Sequence, residues 1–272
     1  MPRHKPTIQK TNILIFDLSN LIFYRYYALK KYFTLQKKSI ENNNDEFKNH
    51  FIQFDKFINK LINKLKLKHD INHIIFLKDC RRKDIWRNNI LSSYKQNRPN
   101  NTEIGEYFKY AYEHYFENED NNINICSTDN AEADDICSIL IDYLIDNKQQ
   151  INYDDIYIFT SDQDYLQLIK TEYIHVYDNK LNNLANKSMG NYILDLKYKC
   201  IIGDKSDNIP PIMKLSKNTA LKYLNDNELF NKLLTMKPEV EKQYQINCSL
   251  INLNNIPENI KTNILSKIKL LF

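Results

Sequence analysis

The sequence predicts an α/β protein with a mostly parallel central sheet flanked by helices, and two observations carry that prediction. Short apolar runs of strand length alternate with longer stretches of helical periodicity, the pattern of a parallel sheet covered on both faces. Three of these runs also end at an aspartate: NILIF (12–16) at Asp17, HIIFLK (73–78) at Asp79 and IYIFTS (156–161) at Asp162. In open parallel sheets the carboxyl edge is where sites form. A single aspartate after a strand can simply cap the next helix; three of them on one edge ask for more.

The elements follow in order. After Asp17, an apolar, aromatic-rich stretch from about Leu18 to Tyr32 reads as helix. A second helix is expected over Phe47–Leu67, where Phe47, Phe51, Phe54, Phe57, Ile58, Leu61, Ile62 and Leu65 recur at i, i+3, i+4 spacing. Between the two, the polar run ENNND (41–45) reads as a solvated loop. INI (123–125) and YIHVY (173–177) are further short strands, and AEADDICSILI (131–141) opens a helix that continues to about Asp146. From Gly190 onward the pattern turns helical, with candidates near 190–200, 217–225, 227–235 and 257–271. No long linker and no internal repeat interrupts the chain. An α/β core over 1–202 is expected, followed by a helical region over 203–272 that is continuous with it.

Composition narrows the function classes. At 272 residues the chain is long enough for one large domain, or one with an appendage. A net charge of only +4 lacks the global basic character of a histone-like protein, though a local basic patch is compatible with it. Five cysteines without a C-x-x-C pair argue against a disulfide framework and a zinc ribbon, and fit a reducing compartment. No apolar span reaches membrane length, and MPRHKPTIQK lacks the apolar core of a signal peptide. A soluble intracellular protein is expected, in the host cytoplasm if the source is a virus or phage.

The acids then set the chemistry. AEADD crowds Glu132, Asp134 and Asp135 at a helix start, where carboxylates also complement the helix dipole. TSDQDYLQL adds Asp162 and Asp164, and GDKSDNIP adds Asp204 and Asp207, which share a face if that stretch is helical. With Asp17 and Asp79 the set numbers nine. Crowded carboxylates repel, and they persist with a cation between them or with some of them protonated. No His or Cys stands at ligand spacing among them, and an all-oxygen donor set favours Mg²⁺ or Mn²⁺ over Zn²⁺. Nine acids exceed the needs of one magnesium, so two ions are the natural count. Such a pair suits in-line attack on a phosphodiester: one ion activates a water, and both stabilise the attacking and leaving oxygens. A structural calcium cluster is the bland alternative, and no Gly-punctuated calcium loop supports it.

A basic, aromatic-interleaved run follows Asp79. Arg81, Arg82, Lys83, Arg87, Lys95 and Arg98 put six cations into 18 positions, with Trp86 and Tyr94 among them. Cations track a phosphate backbone and aromatic faces stack on unpaired bases, so this run reads as nucleic-acid-binding beside a metal-site aspartate.

FDLSN, DCRRKDIWRNNILSSYKQNR, AEADD, TSDQDYLQL and GDKSDNIP occur in the order and spacing of the 5′-nuclease superfamily, and the resemblance spans about residues 12–225. Within it, the chain most resembles the T-even bacteriophage ribonuclease H type, with a further similarity in the ending CSLINLNNIPENIKTNILSKI (248–268). The resemblance implies a PIN-like fold with a helical arch at about 80–117, through or under which a single-stranded 5′ end passes. Asp17, Asp79, Glu132, Asp134 and Asp135 match the family's first metal site, with Asp162 shared or nearby. Asp164, Asp204 and Asp207 match the second. Trp86, Arg87 and Tyr94 match the aromatic and basic arch residues, and Lys95 and Arg98 match those that contact the scissile phosphate. Asp135, Lys95 and Arg98 are therefore the expected catalytic side chains.

One stretch departs from the family pattern. PIMKLSKNTALKYL (211–224) stands where a Gly-rich helix–hairpin–helix is usual, with Lys214 and Ser216 at hairpin glycine positions. Side chains with a Cβ hinder the close approach of backbone amides to phosphate. The monovalent cation typical of that motif is therefore not expected, while Lys214 and Lys217 remain candidates to hold duplex by charge.

The function implied is two-metal hydrolysis at 5′ flaps, 5′ ends and RNA–DNA primer hybrids, in DNA replication or repair, by a monomer with no membrane contact. A polymerase, sliding clamp or single-strand-binding protein is the kind of partner such an enzyme has. The alternatives are a PIN-type ribonuclease and a nucleic-acid-binding module with vestigial acids.

Overall fold

The computed structural model describes residues 11–35, 44–69, 71–98, 102–117 and 124–272. Five strands, β1 (Thr11–Asp17), β2 (Ile71–Lys78), β3 (Asn124–Ser127), β4 (Tyr153–Phe159) and β5 (Ile174–Tyr177), form one all-parallel sheet. Its order is β3-β2-β1-β4-β5. The chain steps outward from β1 through β2 to β3, then crosses to the other side of β1 for β4. The direction reverses between β1 and β4, and a crevice at such a switch point is the usual site in open α/β sheets. Asp17 ends β1 and Asp162 follows β4, so both border it.

The strands alternate between two cores, as the two-residue repeat requires. Ile13, Ile15, Ile75, Leu77, Ile156 and Ile158 face one layer, packed on α4 (Ala133–Asp146) and α10 (Glu258–Ile268). Leu14, Phe16, Phe76, Tyr157 and Phe159 face the other, covered by α1 (Leu18–Leu35), α2 (Asn44–His69) and α3 (Thr102–Ala111). Phe16 is in register with Phe76 and Phe159, and its ring centroid lies 5.0 and 5.4 Å from theirs. This aromatic row fixes the three central strands against one another. Of the loop expected at 41–45, residues 41–43 lie outside the described residues, and α2 already begins at Asn44.

After the short α5 (Lys148–Ile151) and β5, the chain forms α6 (Tyr192–Ile202), α7 (Lys217–Leu224), α8 (Asn227–Thr235) and α9 (Pro238–Ile251). These share a separate core that includes Ile201, Ile212, Leu224, Phe230, Leu233 and Val240. The sequence reading did not anticipate α9, because polar residues surround its short apolar stripe. Its start is nevertheless marked, by Pro238 in the first turn and by Glu239 and Glu241 beside the positive end of the dipole. The expected division at residue 202 does not follow the packing. Leu253, Ile256, Ile260, Ile264 and Ile268 return to the core beneath α4, so the chain's last helix belongs to the α/β layer.

The 203–209 stretch is a turn, not the helix that would have placed Asp204 and Asp207 on one face. Asp204 N–H donates to the Ile209 carbonyl at 2.9 Å, and Ile209 N–H returns to Asp204 at 2.8 Å. Gly203 opens the turn with φ +71°, and a Cβ there would lie 2.4 Å from the Ile209 carbonyl oxygen. Neither the backbone angle nor the space admits a side chain. Gly203→Ala should cost more than about 2 kcal/mol of stability, measured by denaturant unfolding. A neutral result would mean that this turn relaxes freely.

Candidate metal centre

The first acidic group is assembled from three strand or helix ends. Asp17 accepts from Asn20 N–H at 3.0 Å and from the Thr160 hydroxyl at 2.9 Å, which join β1 to the end of β4. Asp79, just after β2, accepts from Ala133 N–H at 2.7 Å and so docks on the first turn of α4. Glu132 is the N-cap of that helix, followed by Asp134 and Asp135. One oxygen each of Glu132, Asp134 and Asp135 lie within 4.8 Å of one another.

Asp135 differs from its neighbours. It is fully buried, and Arg87 grips both its oxygens at 2.8 Å. Trp86 Nε1 donates to it at 2.9 Å and Glu132 N–H at 3.0 Å. Asp135 is thus engaged by Arg87 and by the helix cap as well as belonging to the acidic cluster, while Asp134 is partly exposed.

The second group comes from two turns. Asp162 caps the 3₁₀ helix Gln163–Leu168 by accepting from Asp164 N–H at 2.9 Å. Asp164, Asp204 and Asp207 bring one oxygen each within 4.8 Å of one another. Lys199, on α6, pairs with Asp164 and with Asp204 at 2.8 Å. The sequence reading missed Lys199. Its one signal was a place in the last turn of a helix that ends immediately before the acidic turn.

The segment after Asp79 corrects the expected arch contacts. Trp86, Arg87 and Tyr94 are 4%, 1% and 4% exposed, so they are not free to meet nucleic acid. Arg87 also pairs with Glu132 at 3.0 Å and donates from Nε to the Leu250 carbonyl on α9 at 2.7 Å. The Tyr94 hydroxyl reaches Glu132 at 2.9 Å and Asp207 at 3.2 Å. These residues hold the acids because a buried guanidinium is retained only where carboxylates surround it. Lys95 and Arg98 do reach the pocket: Lys95 pairs with Glu132, and Arg98 with Asp207. Lys95 has φ +56°, a left-handed conformation uncommon for lysine, and its N–H donates to the Asp207 carbonyl at 2.9 Å. Arg81, Arg82 and Lys83 are exposed, as are Lys214 and Lys217. Lys217 borders a cleft of about 600 Å³ that Asp162, Lys199 and Asp204 also line.

Both groups open into one pocket of about 170 Å³, lined by seven of the nine acids, all but Asp135 and Asp204, and by Lys95 and Arg98. Burial, with the charges of Asp79 and Asp162, pushes Asp17 up to about 7. Burial likewise raises Asp164 to about 7 against the pull of Lys199, and lifts Asp79 and Asp134 above the usual carboxylate range. Burial also acts on Glu132, but Lys95 and Arg87 outweigh it and hold its carboxyl low. Lys199 does the same for Asp204, drawn down to about 2 despite burial. Part of the pocket is therefore short of positive charge. The Tyr165 hydroxyl, buried against this pocket, has no hydrogen-bond partner among the described residues. An all-carboxylate donor set with an orphaned hydroxyl fits hydrated divalent cations with oxygen preference, and the clusters Glu132–Asp134–Asp135 and Asp164–Asp204–Asp207 could hold them.

Two predictions follow from this charge distribution. In EDTA, Asp135→Asn should destabilise the protein by about 3 kcal/mol, since it leaves Arg87 undercompensated. Asp134→Asn should raise the melting temperature by relieving repulsion. The opposite order would mean that Arg87 does not depend on Asp135. The second concerns pH. Asp17 and Asp164 hold protons in the folded state up to about 7, against 3.8 unfolded. The folded state therefore binds more protons between those values, and metal-free stability should fall as pH rises from about 4 to about 7. Stabilisation by added divalent cation should grow across the same window. Calorimetry in EDTA showing a melting temperature that climbs through it would contradict this distribution.

Comparison with known proteins agrees with this geometry. The family described as 5′-3′ exonuclease, N-terminal resolvase-like domain, matches residues 12–194. A 5′-3′ exonuclease of Mycoplasmopsis pulmonis (strain UAB CTIP) is 30% identical over 155 residues, 54% of this chain, and the match spans 49% of that relative's length. Ribonuclease H of Enterobacteria phage T4 is 26% identical over 220 residues, covering 71% of this chain and 68% of that protein. Among solved structures, the bacteriophage T5 D15 flap endonuclease in a pseudo-enzyme-product complex with DNA and metal ions superimposes with a TM-score of 0.69. It covers 96% of this chain and 98% of that one at 14% identity, a likeness of fold. By its sequence match, and with a fold and an acidic edge that agree, the chain belongs to the 5′-3′ exonuclease family of the 5′-nuclease superfamily.

Proposed function

We propose that the protein is a Mg²⁺-dependent, structure-selective nuclease that hydrolyses phosphodiesters at 5′ flaps, 5′ ends and RNA–DNA primer hybrids, in replication or repair. The observation that carries this reading is the convergence of two carboxylate groups with Lys95 and Arg98 on a single pocket. Two Mg²⁺ ions, or Mn²⁺ in their place, would supply charge neutralisation and a water of lowered pKa. Asp17, Asp79, Glu132 and Asp134 would hold one, and Asp162, Asp164, Asp204 and Asp207 the other.

The chain's own residues do the rest. Lys95 and Arg98 rest on Glu132 and Asp207, and would turn to the scissile phosphate as it enters, offsetting charge that builds on its oxygens. Arg87 and Trp86 keep Asp135, and with it the first turn of α4, in one position. That the phage T5 relative was captured with DNA and metal ions, and that the phage T4 relative carries the name ribonuclease H, supports both substrate classes. Exposed Arg81, Arg82 and Lys83, just after Asp79 in sequence, Lys217 along the larger cleft, and exposed Lys214 would hold the phosphate backbone by charge without reading sequence.

The test is a 5′-labelled flap duplex incubated with the pure protein in Mg²⁺ and in EDTA. Cleavage near the junction should occur in Mg²⁺ alone, and a primer RNA annealed to DNA should be cut as well. An intact flap with cleaved single-stranded RNA would point to a PIN-type ribonuclease. Binding without cleavage of either would leave a nucleic-acid-binding module.

A further inference from the structure

Behind the second acidic group, two cysteines from different helices meet. Cys200 on α6 and Cys248 on α9 pack in one cluster, with Tyr244 of α9 beside them. Cys200 is fully buried and Cys248 half-buried, in one cluster with Ile85, Tyr94, Ile209 and Leu250. Asn247 fixes the two helices at this level, donating from Nδ2 to the Cys200 carbonyl at 2.9 Å and to the Pro210 carbonyl at 2.8 Å. The neighbouring Cys200 and Tyr244 side chains hold the Cys248 thiol below its ordinary pKa against burial, while Cys200 is pushed up; the thiolate is the reactive form. Cys248 is also the one of the pair that a small solute reaches.

We propose that Cys200 and Cys248 form a reversible disulfide site, oxidised by a hydroperoxide and reopened by a dithiol, that controls the second acidic group. The Cys248 thiolate attacks the terminal peroxide oxygen and the O–O bond breaks. This leaves a sulfenic acid on Cys248 and, from hydrogen peroxide, hydroxide that takes up a proton. The Cys200 sulfur then displaces hydroxide from the Cys248 sulfur, and the Cys200 proton leaves with it as water. Two thiols and one hydrogen peroxide give one disulfide and two waters, the two electrons passing from sulfur to oxygen. A dithiol reverses the step and becomes a disulfide itself.

The consequence for the pocket follows from position. A disulfide brings its sulfurs to about 2.05 Å, so the two side chains must reorient within the packed cluster, and α6 and α9 readjust around them. Cys200 directly follows Lys199, whose ammonium bridges Asp164 and Asp204, and it lies in the last turn before Gly203 and Asp204. Oxidation therefore disturbs the second acidic group and slows cleavage. That last step rests on the nuclease reading, whereas the disulfide itself does not.

The experiment treats the full-length protein with hydrogen peroxide, blocks remaining thiols, and maps the digest by mass spectrometry without reduction. A Cys200–Cys248 linked peptide two hydrogens lighter than its parts, abolished by dithiothreitol, is expected. Separate, alkylatable Cys200 and Cys248, or a Cys80–Cys248 link, would overturn the site. In parallel, oxidised wild type should cut the flap several-fold more slowly and recover with dithiothreitol. Cys248→Ala, at a half-buried position, should cut at the wild-type rate in reductant and ignore peroxide. A linked peptide with unchanged cleavage would overturn the coupling to the acidic group while leaving the disulfide in place.

Discussion

The guanidinium of Arg87 is the constraint around which the site is arranged. Taken out of water, it requires partners for all its donors, or its burial would cost several kcal/mol. The donors go to Asp135 on both oxygens, to Glu132, and to the Leu250 carbonyl of α9. Three separate pieces of chain thereby meet at one point: the segment after β2, the first turn of α4, and the end of α9. The last of these ties the helical region to the α/β layer at the acidic cluster itself. Any movement of residues 85–94 away from the acids would strip Asp135 and Arg87 of each other, so this stretch is a floor to the pocket.

With Asp135 neutralised, the remaining acids divide by their cations. Glu132 and Asp204 have lysine partners and stay charged well into acid. Asp17, Asp79 and Asp134 are raised first by burial and then by neighbouring carboxylates, Asp79 and Asp162 at Asp17, Glu132 at Asp79, and Asp135 and Glu132 at Asp134, and resist ionisation. The pocket is therefore uneven, with unmet demand for positive charge at Asp17, Asp79 and Asp134 and also at Asp164, which burial raises despite Lys199. A cation arriving at the first three relieves repulsion that folding has built in, whereas at Asp164 it must compete with Lys199. The same unevenness explains how so many carboxylates coexist beside a core of Phe and Ile: some carry protons and others carry lysines.

Much of this was legible in the sequence, and the parts that were not share a reason. Asp17, Asp79 and Asp162 were readable because a strand followed by an acid has one geometric meaning in a parallel sheet. Trp86, Arg87 and Tyr94 were misplaced because a cation-rich run reads the same whether its side chains face solvent or buried acids. Only the tertiary contact to Asp135 separates the two. Lys199 escaped because its partners lie 35 residues upstream and in a turn whose shape depends on Gly203. Helix α9 escaped because a short apolar stripe within a polar helix gives weak periodicity, and its packing is decided by Asn247 as much as by Leu250 and Ile251. Asp204 and Asp207 were expected to meet on a helix face; they meet through a turn, which the sequence of charges does not distinguish.

The chain has only three glycines, and this throws the strained positions into relief. Lys95 and Asn208 both adopt positive φ, at 56° and 61°, conformations that cost a non-glycine residue on the order of 1 kcal/mol or more. They lie opposite each other. Lys95 N–H donates to the Asp207 carbonyl, Asn208 Nδ2 to the Ser93 carbonyl at 2.8 Å, and Asn97 Nδ2 to the Lys205 carbonyl at 2.7 Å. These bonds stitch residues 93–98 to the turn that holds Asp204 and Asp207. The cations Lys95 and Arg98 and the acid Asp207 are thus carried on one stitched unit rather than on two loops that must find each other. Strain at both ends of that unit is tolerated because the cross-links over-determine it. The backbone separation between residues 93–98 and the turn carrying the second acidic group is then a property of the fold and does not wait for a ligand to set it, while the Lys95 and Arg98 side chains stay free to turn.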